Sequence, residues 1–249
     1  MRASDQQRLL AVASLVLLGI AAVVMTPAWR SFVAFAGAGL CALAVWGLAR
    51  PGPGAAIAVL AAAICSIAMT GLAWQAVMPL AVVALIAVAK LQPQVGSVRQ
   101  PRGSVPLWST VGCAAVTPVA LTLWLRLSES DVSDIVGLVP DVGLALLVLG
   151  GAAFAVLNAV FEELIWRGTF QSRLTDLFGV PWAIAIQAAS FGVAHAHGVP
   201  RGFAGVALAG VWGGMLGVLR ARAGGLLAPV LAHIVADATI AYLIISLAR

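Results

Sequence analysis

Residues 146–172 read LLVLGGAAFAVLNAVFEELIWRGTFQS. An uncharged run from Leu146 to Phe161 leads into Glu162 and Glu163, and Arg167 follows one helical turn later. A bilayer core takes about 20 apolar residues per helix, with a range of ~17–25. The stretch therefore reads as a membrane span that carries ionisable groups near its end. Each such group costs about 2.5–3.5 kcal/mol on an insertion scale, and by default marks a functional site.

The rest of the chain supports the membrane reading. Of 249 residues, 62% are hydrophobic and 9% charged, against about 25% charged in a soluble domain. This composition excludes a water-soluble enzyme, a disordered chain, a collagen and a disulfide-stapled secreted domain. Cys41, Cys65 and Cys113 lie in apolar runs without metal-ligand spacing and read as small core residues. The net charge is +5, but no basic run exists that would bind nucleic acid. The scattered arginines instead report topology.

The expected fold is all-α, a polytopic helical membrane protein with about eight or nine transmembrane helices. Spans are read near 9–28, 31–49, 55–73, 76–90, 105–125, 146–172, 181–198, 203–219 and 226–247. The third and fourth come from one apolar run, 55–90, which as a single helix would be about 54 Å long at ~1.5 Å per residue. A break at Trp74-Gln75 resolves it, and eight spans is the alternative. The first segment has basic flanks at Arg2 and Arg8, no small-residue cleavage site after it, and is expected to stay as a helix.

Nine spans with the N-terminus inside place Arg2, Arg8, Arg50, Lys90, Arg99, Arg102, Arg167, Arg173, Arg220 and Arg222 towards the cytoplasm. Arg30, Arg126, Arg201 and Arg249 then fall outside, with the acidic 126–142 loop (Glu129, Asp131, Asp134, Asp141). Trp29, Trp74, Trp108, Trp124 and Trp182 sit near span ends, as interfacial anchors do. The polar segment 91–104 separates an N-terminal part, 1–104, of helices and a cytoplasmic loop whose role is not read, from residues 105–249, which hold the chemistry.

Within the spans few ionisable residues remain: Glu162, Glu163 and Arg167 on the sixth, His195 on the seventh, His233 and Asp237 on the ninth. Asn158 lies one turn before Glu162 on the same face. Counted at ~1.5 Å per residue, Glu162 lies about 16 Å from Arg173 and His195 about 21 Å from Pro181. His233 and Asp237 lie about 11 and 17 Å from Leu226, so all can share one layer. Glu163 and Arg167 are spaced for an intrahelical ion pair, while Glu162 points about 100° away and is the better reactive carboxylate. His233 and Asp237 are also one turn apart, so Asp237 is placed to orient the imidazole. The competing explanation is that such residues only tie helices together by hydrogen bonds. A common depth and two adjacent glutamates favour a site.

Other polar positions read more plainly. His197 is an interfacial side chain, and Arg173 and Asp176 are a solvated helix terminus. Gly210-x-x-x-Gly214 and Gly213-x-x-x-Gly217 signal close helix packing without chemistry.

Three motifs stand in order along these spans: Glu162-Glu163-Leu-Ile-Trp-Arg167 as EExxxR, Phe191-Gly-Val-Ala-His195 as FxxxH, and His233-Ile-Val-Ala-Asp237 as Hxxx(N/D). Over about residues 145–245 the chain resembles the CPBP family of intramembrane proteases, which includes the CAAX prenyl endopeptidases and the bacterial Abi proteins. The resemblance makes 105–249 a CPBP/Abi-like protease domain. It implies peptide-bond hydrolysis in the bilayer by a glutamate-activated water. Glu162 would be the base, assisted by His195. His233 and Asp237 would stabilise the oxyanion, and Glu163 and Arg167 would form a supporting ion pair; Asn158 is added as a supporting residue by its position one turn before Glu162. The prenyl endopeptidases usually carry Asn at the last motif position. An ionised Asp237 cannot donate a hydrogen bond, so it is either protonated or holds His233 protonated as the donor, the arrangement preferred here.

No cofactor is expected. Zinc on the two glutamates, two histidines and aspartate is the alternative, against which stand the missing HExxH and the divergence of adjacent ligands on one helix. The expected partners are a membrane-associated protein or peptide substrate and the lipid bilayer, with no nucleic acid. One lysine against thirteen arginines, amid much Ala, Val, Leu and Gly, suggests a GC-rich bacterial genome and hence a multi-pass protein of the inner (plasma) membrane. The competing function is a non-enzymatic scaffold or a proton-coupled carrier using the same polar cluster. The repeat symmetry of a carrier is not found.

Overall fold

A computed structural model describes residues 3–25, 30–72, 74–93, 101–128 and 130–249. Among them every regular element is helical: α1 (Ala3–Val23), α2 (Arg30–Ala49), α3 (Pro53–Ala68), α4 (Trp74–Leu91), α5 (Leu107–Leu127) and the short α6 (Ser133–Val136). Then come α7 (Leu144–Glu163), a π-helical segment (Leu164–Gln171), α8 (Ser172–Phe178), α9 (Val180–Ala194), α10 (Gly202–Ala223) and α11 (Leu227–Leu247). Six helical runs are long and apolar enough to span a membrane, with three shorter apolar helices beside them. The chain is a polytopic helical membrane protein.

The N-terminal helices surround α3, which is buried on nearly every side from Gly54 to Cys65. A helix apolar all round belongs in a core, and α3 touches α1, α2, α4, α8 and the π segment. In the C-terminal part α9 packs on α10, and α11 packs on α7 and α5. Helix starts follow local chemistry: Pro53 and Pro181 occupy first-turn positions, where a missing N–H leaves no bond unmade. Gly179, at φ 81, ends α8 and turns the chain into α9.

Contacts sort the helix ends into two groups. At one end Gln7 Nε2 donates to Arg50 O (2.7 Å), Arg8 Nε to Leu177 O (2.9 Å) and Arg220 Nη2 to Ser172 Oγ (2.6 Å). At the other, His197 Nε2 meets Val23 O (2.8 Å), Arg201 grips Asp134, and Arg249 Nη2 donates to Val142 O (2.8 Å). This sorting matches the division of charges expected from positive-inside reasoning. Residues 101–104 lie across the start of α11: Leu226 N and Leu227 N donate to Pro101 O (3.0 Å) and Arg102 O (3.1 Å), and Ser104 N to Ala223 O (2.8 Å). Gly103 and Gly225 make the approach feasible, because a Cβ on either would meet the other strand's backbone.

Several expectations change. The break in the 55–90 run comes earlier than Trp74-Gln75: α3 stops at Ala68, followed by Gly71 at φ 81. The sixth span runs on to Phe178 through the π segment. Arg173 is not solvated but buried, 3.8 Å from Asp176. Trp124 is not an anchor in the interface. It is buried with Val132 and Ile244 beneath the α5–α7 connection, whereas Trp108 and Trp182 are exposed. Of the cysteines only Cys65 is a core residue; Cys41 is exposed and Cys113 half-buried. Arg2, Trp29, Arg99 and Glu129 lie outside the described residues.

Candidate active site

Glu162 and Glu163 close α7, and the backbone then widens into the π segment, a local form found often at functional sites. Thr169 Oγ1 donates to Leu164 O, five residues back, at 3.1 Å, which matches the π spacing. Arg167, wholly buried within this segment, is held on three sides. Its Nη1 donates to Glu163 Oε1 at 2.6 Å, its Nη2 to Gly213 O at 3.1 Å, and its guanidinium carbon lies 4.6 Å from the Phe191 ring centroid. A buried charge is tolerated only when paired and hydrogen-bonded in this way.

Glu163 Oε1 also lies 2.7 Å from His233 Nδ1. An ionised carboxylate only accepts, so Nδ1 carries the proton of that bond. The other ring nitrogen, Nε2, then faces Glu162 Oε2 at 3.6 Å and Asp237 Oδ1 at 3.8 Å. These distances allow charge attraction but exceed hydrogen-bond length. Asn158 Nδ2 joins the remaining two, donating to Glu162 Oε1 (3.3 Å) and Asp237 Oδ2 (3.1 Å). All six residues are buried. Glu162 Oε2 accepts no hydrogen bond from the described residues and is the reactive oxygen of the cluster by geometry.

His195 stands apart from this network. It follows the last residue of α9 as its cap, half-buried, with Nδ1 2.9 Å from Phe191 O. A carbonyl accepts only, so Nδ1 bears hydrogen and Nε2 is the ring nitrogen left to face away from it. The Phe191 ring is the link between the histidines: its centroid is 4.5 Å from that of His195 and 6.2 Å from that of His233.

The structure brings together Asn158, Glu162, Glu163, Arg167, His233 and Asp237 from α7, the π segment and α11, while His195 lies outside their hydrogen bonds and borders the cluster only through the Phe191 ring. One relationship differs. The group oriented by hydrogen bonding to His233 is Glu163, not Asp237, which stands too far off and is tied to Asn158 instead. His197 is exposed at a helix end, in line with its interfacial reading. Sequence reasoning missed Gln171 and Gln187, both wholly buried. They donate to Gly217 O (2.9 Å) and Gly213 O (2.9 Å). Being uncharged, they carried no signal beyond polarity inside apolar runs. The glycines of α10 thus pack closely, as expected, but their carbonyls also receive Arg167 and both glutamines. Among the described residues no three His, Cys, Asp or Glu side chains are arranged to hold a metal ion.

Fold and site together define a multi-pass membrane protein with carboxylates and imidazole converging on a buried point between helices. Residues 144–239, rather less than half of the chain, match the family described as Rce1-like, type II CAAX prenyl endopeptidase. The match takes in all three motifs up to Asp237 and leaves the first six helices outside it. No curated protein and no solved structure matches the chain.

Proposed function

We propose that the chain is an intramembrane endopeptidase of glutamic type, multi-pass in a bacterial inner membrane, cleaving a peptide bond of a membrane-associated protein or peptide. The observation that carries the reading is Glu162 Oε2: buried, without a hydrogen-bond donor among the described residues, and 3.6 Å from an imidazole nitrogen. Glu162 takes a proton from water as the water oxygen attacks the scissile carbonyl carbon, with His195 Nε2 as the assisting acceptor. Glu163 holds the His233 ring by Nδ1, so that Nε2–H faces the reaction centre and donates to the oxyanion. As the tetrahedral intermediate collapses, the C–N bond breaks and the leaving amine takes the proton from Glu162. Asn158 aims the Glu162 carboxylate and holds Asp237 beside it. This route uses no metal. The family description names prenylated CAAX proteins as the class of substrate. Asp237 where the prenyl endopeptidases usually carry Asn leaves this chain's substrate set wider, as any peptide segment delivered along the membrane.

The test is cleavage of a membrane-tethered fluorogenic peptide by the purified protein in liposomes, in chelator-treated buffer. Glu162→Gln keeps the shape and removes the base, so the rate is expected to fall about 10²–10⁴-fold, the usual contribution of general base catalysis. Cleavage by Glu162→Gln at the unsubstituted rate, or activity that depends on restoring metal, overturns the assignment.

A further inference from the structure

A hydrolase whose base is buried among membrane helices needs a supply of water. Five buried side-chain atoms without a hydrogen-bond partner among the described residues fall along one course: Glu162 Oε2, Glu163 Oε2, Arg167 Nε, Gln187 Oε1 and Gln171 Oε1. The glutamine assignments follow from their partners. Each amide nitrogen donates to a backbone carbonyl, Gln187 to Gly213 O and Gln171 to Gly217 O, so each amide oxygen points elsewhere. Arg167 shares Gly213 O with Gln187, and both glutamine amides come within 3.2 Å of the same point beside Gly217. Ser172, next to Gln171, accepts Arg220 Nη2 at 2.6 Å. Arg220 stands in the last turn of α10, about 10 Å along the axis from Gly213 at ~1.5 Å per residue.

Polar atoms this deep are normally satisfied, and where protein supplies no partner, ordered water does, each molecule bridging about three such groups. An apolar helix interface would have placed Leu or Val at 171 and 187. Instead the polar groups continue from the edge of the bundle to the carboxylates. On the opposite side runs a helix face of glycines, where side chains would close the space. We propose that Gln171, Gln187 and Arg167, set against the glycine face of α10, form an internal water route from the Arg220 end of the bundle to Glu162. Gly217 is where the two amides meet α10: a Cβ there would lie 2.7 Å from Gln187 Nε2 and 3.2 Å from Gln171 Oε1 and would crowd both. The purpose of the route rests on the hydrolytic reading above; its existence does not.

The experiment uses silver ion, which reaches a thiol only through water. Ser172→Cys and Gln187→Cys are made separately in the full chain with Cys41 and Cys113 replaced by Ser, and Cys65, buried in the N-terminal core, serves as internal standard. After exposure to Ag⁺ in liposomes, the remaining thiols are labelled in denaturant and counted by mass spectrometry. The thiols at 172 and 187 are expected to react at least tenfold faster than Cys65, the one at 172 first. Gly217→Ala is expected to slow the reaction at 187 and to lower kcat about tenfold with KM unchanged. A thiol at 172 or 187 as inert as Cys65, or indifference of position 187 to Gly217→Ala, overturns the route. Should the silver pattern hold while Glu162→Gln cleaves normally, the hydrolytic reading falls and the water route stands.

Discussion

Glu162 and Glu163 are neighbours in the chain with opposite situations. Glu163 Oε1 takes bonds from both Arg167 and His233, while among the described residues Glu162 takes a hydrogen bond only from the amide of Asn158 and keeps its second oxygen open, 3.6 Å from His233 Nε2. One helical step of about 100° produces the difference, by turning Glu163 to Arg167 of the π segment and His233 of α11, and Glu162 to Asn158 on its own helix. A testable consequence lies in the asymmetry of buried ion pairs, where removing one partner strands the other. Arg167→Met is expected to destabilise the protein by about 3–5 kcal/mol, read by chemical unfolding in detergent. Glu163→Gln combined with Arg167→Met is expected to recover part of that loss. A double variant as unstable as the sum of the single ones contradicts the pairing.

At the level of elements, the contact of α9 with α10 sets where Phe191 and His195 stand. Gly192 is its tightest point: a Cβ there would meet Val206 O at 2.6 Å and Gly210 Cα at 3.0 Å, both backbone atoms unable to give way. Gly192→Ala is expected to force the two helices apart, costing about 1–3 kcal/mol as overpacking does. Gly150 on α7, with nothing within 4 Å of its Cβ position, is the control: Gly150→Ala is expected to be neutral or stabilising by up to about 1 kcal/mol, the helix-interior gain of Ala over Gly. Thermal unfolding of the two variants side by side decides it, and equal shifts refute the close-contact account. The π segment belongs to this scale too. Its i−5 bond from Thr169 was not legible in sequence, since LIWRGTFQ carries no pattern that separates a π turn from an α turn.

For the molecule as a whole, the two ends of the bundle are fastened differently. One end is laced by the strap 101–104 across the start of α11, the helix of His233 and Asp237. The other is held by Arg201, whose Nη1 and Nη2 donate to Asp134 at 2.8 and 3.1 Å, and whose Nη1 reaches Asp131 O at 2.9 Å. The Arg201 hydrogen bonds hold Asp134 below the ordinary carboxylate value, and the Ser133 amide does the same for Asp131. A carboxylate lowered in the folded state adds stability above its unfolded value and loses it as pH falls through the folded one. For a pair this exposed the amount is about 0.2–1 kcal/mol. Asp134→Asn is therefore expected to remove that much at neutral pH and to flatten the decline of stability below about pH 4. An unchanged acid limb in Asp134→Asn shows that the clasp adds nothing.

What the sequence alone determined was the class of molecule and most members of the buried polar cluster, His195 standing apart from its hydrogen bonds. Apolar length dictates spanning helices, and charge is so costly inside them that Glu162, Glu163, Arg167, His233 and Asp237 identify themselves by being there. Helical spacing even supplied the Glu163–Arg167 pair, because both partners sit on one turn. Pairing between helices was beyond it. That His233 leans on Glu163 and not on Asp237, and that Asn158 bridges Glu162 to Asp237, depends on how α7 and α11 rotate against each other. That rotation is set by packing over the whole interface, which no local spacing encodes. The buried glutamines belong with these: only the approach of α10's glycine face to the π segment and α9 turned two unremarked amides into neighbours of the site.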